Sequence, residues 1–302
     1  VTFTAADDPA TLAREARDAE VFYGWRFPPD LVATSPRLRW IQSASAGAED
    51  NLAEEIVARG ILVTNGAGIA AVAIAEHVLA MILAFCRNLP VALELQRART
   101  WNRPGVMAGR GTMLRELAAS RVLVVGLGPI GLAVAERVAA LGAVVRGIRR
   151  HAGRPHPPPF ESVVGPDGLS EQLGWADFVV LAMPHTAETT NMVGAAELGR
   201  MRSDAYLINV ARGAVVDHGA LVDALGRGAI AGAGLDVFPT EPLPAEDPLW
   251  GLANVILTPH VAGATLHYLD RALVLFIENL QRYRAGTALQ NLVDPSLGYP
   301  RR

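Results

Sequence analysis

The chain has 302 residues, 51% of them hydrophobic and 19% charged, with a formal net charge of −3. That length suggests two domains with ample core material, and the near-neutral balance leaves no electrostatic footprint for nucleic acid or an anionic membrane. All 27 basic residues are Arg, which excludes any mechanism needing a lysine amine, and the one cysteine allows neither an internal disulfide nor a cysteine-based zinc site.

That cysteine, Cys86, reads as a buried small hydrophobe, and a lone thiol fits a reducing, cytoplasmic compartment. The first residues lack a basic stretch followed by an apolar one, so no signal peptide is expected. The most apolar run, 69–86, is interrupted by Glu76 and His77 and reads as a buried helix, not a membrane span.

Short β-branched runs alternate with helical stretches, the pattern of parallel strands joined by helical crossovers. Strands are predicted at 21–23, 38–42 and 61–64, and helices at 9–17, 51–59 and 70–87. Asn88-Leu89-Pro90 breaks the last of these and reads as a hinge between domains. A linking helix over 91–100 and a glycine-rich loop over 105–111 follow. The clearest strand, 121–125, runs into Gly126-Leu127-Gly128-Pro129-Ile130-Gly131 and a helix over 132–141. A strand over 143–148 leads to 150–159, where four prolines predict a loop. Further strands are expected at 178–182, 206–209, 232–235 and 255–257, and helices at 195–201, 220–226 and 265–285. The opening looks short for a doubly wound domain, so an abridged first domain or a missing N-terminal strand is expected.

The Gly-x-Gly-x-x-Gly turn has its required context, an apolar strand before it and a helix after it. Gly126 permits the tight turn, Gly128 lets a pyrophosphate approach the backbone, and Gly131 lets helix and strand pack closely. The helix N-terminus offers N–H groups to phosphate. The second strand of an NAD site usually ends in an acid that bonds the ribose 2′-hydroxyl. Here Arg149 and Arg150 stand in its place. Guanidinium groups suit a 2′-phosphate, so NADP is favoured, with NAD as the alternative.

Arg212, Glu241 and His260 each follow a β-rich run, so all three can lie at the carboxyl edge of one parallel sheet. A carboxylate beside an imidazole fixes its tautomer and favours its protonated form, and a nearby Arg can clamp a carboxylate and polarise a carbonyl. His77, Trp40 and Trp250 read as packing residues. His151, His156 and His218 lack metal-ligand spacing, and no metal is expected.

From Leu38 to Leu292 the sequence resembles the D-isomer-specific 2-hydroxyacid dehydrogenase family. The resemblance rests on 40–49, on Asn65 with Ala75-Glu76-His77, on 125–131, on 176–180 and 183–190, and above all on the stretch from Leu207-Ile-Asn-Val-Ala-Arg-Gly to Thr258-Pro-His-Val-Ala-Gly. It implies an α/β protein of two doubly wound, Rossmann/flavodoxin-like domains with parallel sheets and an interdomain active-site cleft. Residues 1–92 with 285–302 would bind substrate, and 93–284 would bind the dinucleotide. It implies that His260 protonates the keto oxygen, that Glu241 keeps His260 protonated, and that Arg212 binds the substrate's carboxylate and carbonyl. Backbone N–H groups near Ala46 and Gly47 would receive the carboxylate. Asp236 would meet the nicotinamide carboxamide, and Pro129, Ile130, Pro184, Val210, Ala211, Ala262 and Gly263 would line the cofactor.

Arg149 departs from the acid of NAD-using relatives, and His185 follows Pro184 where the family more often has Leu. Glu241 argues against a formate dehydrogenase, which pairs its His with Gln. The short stretch after Leu292 gives no expectation of the regulatory domain that some phosphoglycerate dehydrogenases carry. The expected activity is NAD(P)H-dependent reduction of a small 2-keto acid, such as glyoxylate or hydroxypyruvate, to the D-2-hydroxy acid. The expected assembly is the homodimer the resemblance implies. The alternatives are a nucleotide-sensing, corepressor-like binding protein and a reductase of a bulkier 2-keto acid.

Overall fold

The computed structural model describes residues 2–110, 112–151, 153, 155 and 158–300. Gly111, at the end of the predicted glycine-rich loop, and His156 lie outside the described residues, as does part of the proline-rich loop.

The chain forms two compact units, Val1–Ala70 with Thr265–Arg302, and Ala71–Ala264. The first unit opens with α1 (Pro9–Glu15), β1 (Val21–Gly24), β2 (Trp40–Ser43), α2 (Glu54–Ala58) and β3 (Leu62–Thr64). The second runs through α3 (Ala71–Cys86), α4 (Leu89–Arg97), α5 (Arg103–Ala108), β4 (Arg121–Val125), α6 (Pro129–Ala140), β5 (Val144–Ile148) and β6 (Ser162–Val164). It continues with α7 (Leu169–Trp175), β7 (Phe178–Leu181), α8 (Ala195–Arg200), β8 (Tyr206–Asn209), α9 (His218–Gly226), β9 (Gly232–Leu235) and β10 (Val255–Leu257). The chain then returns to the first unit with α10 (Tyr268–Arg284) and the short antiparallel pair β11 (Val293–Asp294) and β12 (Tyr299–Pro300).

Local chemistry accounts for many of these boundaries. Asp8 caps α1 by accepting from the Ala10 and Thr11 amides, with Pro9 in the first turn where its missing N–H costs nothing. Asp217 caps α9 through the Ala220 amide. β4, β7 and β8 are almost wholly buried, as expected of strands covered on both faces.

In the first unit, β1, β2 and β3 form a parallel sheet in that order. Phe27, Leu38, Ile41 and Ile56 fill one core. α10 lies against Tyr23 and Trp40: Phe276 stacks on Tyr23 at 4.6 Å, and Tyr283 stacks on Trp40 at 5.3 Å. The Trp40 indole donates to Thr64, so this residue is the packing element the sequence suggested. Trp250 is not: it is 58% exposed.

In the second unit, seven parallel strands run in the order β10-β9-β8-β7-β4-β5-β6. β4 is followed in sequence by β5 on one side, and the chain then crosses to β7 on the other. The carboxyl ends of β4 and β7 are therefore the switch point where such sheets bind ligands.

The units divide at 70/71 and 264/265, whereas the sequence placed its boundaries at 92/93 and 284/285. Packing explains both differences. α3 packs extensively on α6 of the dinucleotide-type sheet, and α10 is an integral wall of the first unit. Leu89-Pro90 lies inside the second unit, where it opens α4 after a 70° bend from α3. Among the described residues no single helix is long and apolar enough to cross a membrane.

Candidate active site

Most of the chemically interesting residues of the second unit sit just beyond the carboxyl ends of strands. The first is the glycine turn after β4. Gly126 has φ +99°, and a Cβ there would lie 2.6 Å from the Met183 amide nitrogen, so only glycine fits. A Cβ on Gly131 would lie 2.0 Å from the Gly126 carbonyl oxygen, which is the close helix–strand approach expected of this position. A Cβ on Gly128 would meet nothing within 4 Å. That space lies at the N-terminus of the twelve-residue α6, whose first N–H groups have no intrahelical partners. The turn fits a dinucleotide pyrophosphate.

Arg149 and Arg150 follow β5 and diverge. The Arg149 guanidinium donates to the Pro155 carbonyl at 3.3 Å, and Arg150 is ion-paired with Glu188 in the loop after β7. In that same loop Pro184 is exposed, its carbonyl accepting from the Thr189 hydroxyl, and His185 Nε2 lies 2.9 Å from Thr190 Oγ1.

After β8, Asn209 shapes the loop that carries Arg212. Its side chain accepts from the Ala211 amide and donates to the Arg212 carbonyl, both at 3.0 Å. Val210 and Ala211 are buried, and Arg212 is half-buried with Nη1 donating to the Ala211 carbonyl. Gly213 follows, and it touches the backbone of Phe238 and Pro239 so closely that no side chain can stand there. The loops after β8 and β9 are thereby locked together.

The β9 loop carries Glu241 and the β10 loop carries His260. Glu241 Oε1 accepts from the Phe238 amide at 2.9 Å, which leaves Oε2 to meet His260 Nδ1 at 2.7 Å. Both side chains are open to solvent on the second unit, 36% and 51% exposed respectively. With Nδ1 engaged, His260 presents Nε2. His260 has φ +53°, an unfavourable region for a side-chain-bearing residue.

Asp236 holds the backbone in that conformation. It is 2% exposed, and its main-chain oxygen accepts from the His260 amide at 2.9 Å. Its Oδ1 accepts from Thr258 Oγ1 at 2.6 Å and from the Val261 amide at 2.9 Å, and its Oδ2 accepts from the Ala262 amide at 2.9 Å. Three of its four or so lone-pair positions are thus spent on the residues on either side of His260. The sequence assigned Asp236 to the nicotinamide; its internal bonds are a role that sequence reasoning missed.

A second missed feature is His77. It reads from the sequence as a packing residue, but its Nε2 lies 3.0 Å from Thr258 Oγ1 and 3.8 Å from Asp236 Oδ1. The available signal was Thr258 itself, two residues before His260.

Ala46 and Gly47 belong to the first unit. Their loop is shaped by Ser45 Oγ donating to the Gly47 carbonyl at 2.6 Å and by Asn65 Nδ2 donating to the Ala46 carbonyl at 2.7 Å. Cys86 is fully buried and burial pushes its thiol up to about 11, the condition of an inert thiol. No three metal-ligating side chains gather among the described residues.

Residues 79–262 match the model of the D-isomer-specific 2-hydroxyacid dehydrogenase NAD-binding domain. A glyoxylate reductase of Korarchaeum cryptofilum is 36% identical over 95% of this chain and 82% of its own length. A D-isomer-specific 2-hydroxyacid dehydrogenase from Xanthobacter autotrophicus, solved with NADPH and MES, is 33% identical, with a TM-score of 0.81 over 94% of this chain and 86% of that one. An NADPH-dependent glyoxylate/hydroxypyruvate reductase from Sinorhizobium meliloti, solved with NADP and sulfate, is 26% identical, with a TM-score of 0.83 over 97% and 90%. The glycine turn, the strand order and these likenesses agree: the chain belongs to the D-isomer-specific 2-hydroxyacid dehydrogenase family of NAD(P)-dependent oxidoreductases.

Proposed function

We propose that the protein reduces a small 2-keto acid of the glyoxylate or hydroxypyruvate class to the D-2-hydroxy acid, with NADPH preferred to NADH. The observation that carries this reading is the 2.7 Å contact between His260 Nδ1 and Glu241 Oε2 on the same sheet edge as the Gly126–Gly131 turn.

Gly126, Gly128 and the first turn of α6 would hold the dinucleotide, which would supply the hydride for the carbonyl carbon. Pro129, Ile130, Pro184, Val210, Ala211, Ala262 and Gly263 belong to the proposed lining of that site. Arg149 and Arg150 are its proposed 2′-phosphate ligands: charge-assisted hydrogen bonds to phosphate reward NADP, and a bare hydroxyl gains little. His260 gives its Nε2 proton to the keto oxygen, since Glu241 occupies Nδ1 and fixes the ring's orientation. Glu241 also balances the positive charge that the ring carries before transfer. Arg212 pairs with the substrate carboxylate and polarises the carbonyl, while the amides of Ala46 and Gly47 are the proposed second contact for the carboxylate. The remaining lone pair of Asp236 is the proposed acceptor for the nicotinamide carboxamide.

The same reading takes the enzyme to be a cytoplasmic homodimer. The lone buried thiol supports the first part. The exposed apolar side chains of Leu89, Leu93, Trp101 and Met107 on and around α4 and α5 support the second, because clustered exposed apolar surface marks interfaces.

The test is a panel of glyoxylate, hydroxypyruvate, pyruvate and phenylpyruvate with NADPH and with NADH, with the chirality of each chiral product determined. Turnover of glyoxylate to glycolate and of hydroxypyruvate to D-glycerate, faster with NADPH, is expected. Cofactor binding without turnover on any keto acid would favour the nucleotide-sensing alternative.

A further inference from the structure

His77 lies on α3, between Ala75 and Val78, both fully buried. Its Nε2 is 3.0 Å from Thr258 Oγ1, which in turn is 2.6 Å from Asp236 Oδ1. The direction of these bonds follows from valence. A threonine hydroxyl has one proton, and an ionised carboxylate only accepts. The short bond therefore spends the Thr258 proton on Asp236, and Thr258 Oγ1 is left to accept from His77. His77 must carry its proton on Nε2. Donation runs one way, from His77 to Thr258 to Asp236, and Asp236 holds the amides of Val261 and Ala262 and, through its main-chain oxygen, that of His260.

We infer that His77 and Thr258 are positioning residues for the proposed reaction, forming a relay that anchors the His260 turn to the packed helix α3. This deepens the proposed function and rests on His260 being the proton donor. The need for an anchor is visible in the turn itself: His260 is held at φ +53°, and among the described residues its side chain is hydrogen-bonded to Glu241 alone. A group that must meet a carbonyl oxygen at hydrogen-bond distance works only when its supporting residues are themselves fixed. α3 is such a support, since it packs along α6 through buried side chains and through Glu76, which lies 3.8 Å from Arg137.

The test uses the full chain and four variants: His77→Ala, His77→Gln, Thr258→Val and the His77→Ala/Thr258→Val double variant. Glutamine can return an N–H near the imidazole Nε2, whereas valine keeps the shape of threonine without its hydroxyl. With a turned-over keto acid, His77→Ala and Thr258→Val are each expected to lower kcat about five- to thirtyfold, the scale of one lost buried hydrogen bond. The keto-acid KM should stay within about twofold. The primary isotope effect with deuterated NADPH should rise as hydride transfer becomes more rate-limiting. His77→Gln should recover most of the loss, and the double variant should lose little more than either single one, because both break the same chain. Losses that multiply, or a folded His77→Ala enzyme with unchanged kcat and isotope effect, overturn the relay.

Histidine ¹⁵N NMR of the unmodified protein reads the relay without any turnover. A proton on His77 Nε2, and altered His260 ring signals in Thr258→Val, are expected. An unprotonated His77 Nε2 contradicts the relay even if the protein is an active reductase. Absent turnover with the expected NMR signals contradicts the proposed function and leaves the relay standing.

Discussion

Gly213 and Phe238 meet so closely that a Cβ on the glycine would fall 1.9 Å from the Phe238 carbonyl carbon. Gly213 directly follows Arg212, and the Phe238 amide is the donor that fixes Glu241 Oε1. One backbone contact therefore sets the spacing between the proposed substrate clamp and the carboxylate that orients His260.

Gly213→Ala should separate the two loops. Overpacking of this kind costs about 1–3 kcal/mol, so the melting temperature should fall by several degrees. Activity should fall further than stability explains, at least about tenfold in kcat, because displacing a proton donor by an ångström is costly. Steady-state kinetics on protein shown to be folded by circular dichroism checks this; a fully active Gly213→Ala would show that the contact does not govern the site.

Arg149 and Arg150 bear on cofactor choice. Replacing both by Ser should weaken NADPH binding about ten- to a hundredfold, the worth of charge-assisted hydrogen bonds to a phosphate. NADH binding should change by less than about threefold. Fluorescence titration of both cofactors measures the two effects side by side, and equal weakening would remove the 2′-phosphate assignment.

Asp177 joins two strands and gives a pH-dependent stability. It accepts from the Arg121 amide at 2.8 Å and from Arg121 Nη2 at 2.9 Å, linking the start of β4 to the residue before β7. Burial pushes its carboxyl up, but the Arg121 bonds outweigh that and hold it below the usual value of 3.8. A depressed carboxylate stabilises the fold above its unfolded pKa, and the gain disappears as pH falls through the lower folded value. Stability should therefore drop as pH falls below about 4. Asp177→Asn should cost about 1.5–3 kcal/mol at neutral pH, the range for hydrogen bonds to a charged group. Its urea midpoint should also lose part of that acid dependence; parallel acid limbs for variant and parent would rule the linkage out.

Much of the fold was legible because its signals are local. β4, β8, β9 and β10 occupy the residues their β-branched and small-residue runs predicted, and the three glycines of the turn occupy the steric situations their spacing implied. The missed elements are those with weak local signals. β6 is a three-residue edge strand, α7 is a seven-residue helix, and α5 runs into the stretch from Gly105 that read as a glycine-rich loop. The unit boundaries depend on α3 packing against α6 and α10 against β2, contacts distant in sequence. The same holds at the site. Arg212, Glu241 and His260 stand out because each follows a strand. His77 and Thr258 are 181 positions apart, and only the fold brings them together.

The most direct test of the account is the rate of keto-acid-dependent nicotinamide oxidation by His260→Ala beside the unmodified protein. NADPH affinity should be retained, since the glycine turn is untouched, while turnover falls at least about a hundredfold through loss of the proton donor. A His260→Ala enzyme that binds NADPH and turns over glyoxylate or hydroxypyruvate at the parent rate would contradict the central claim.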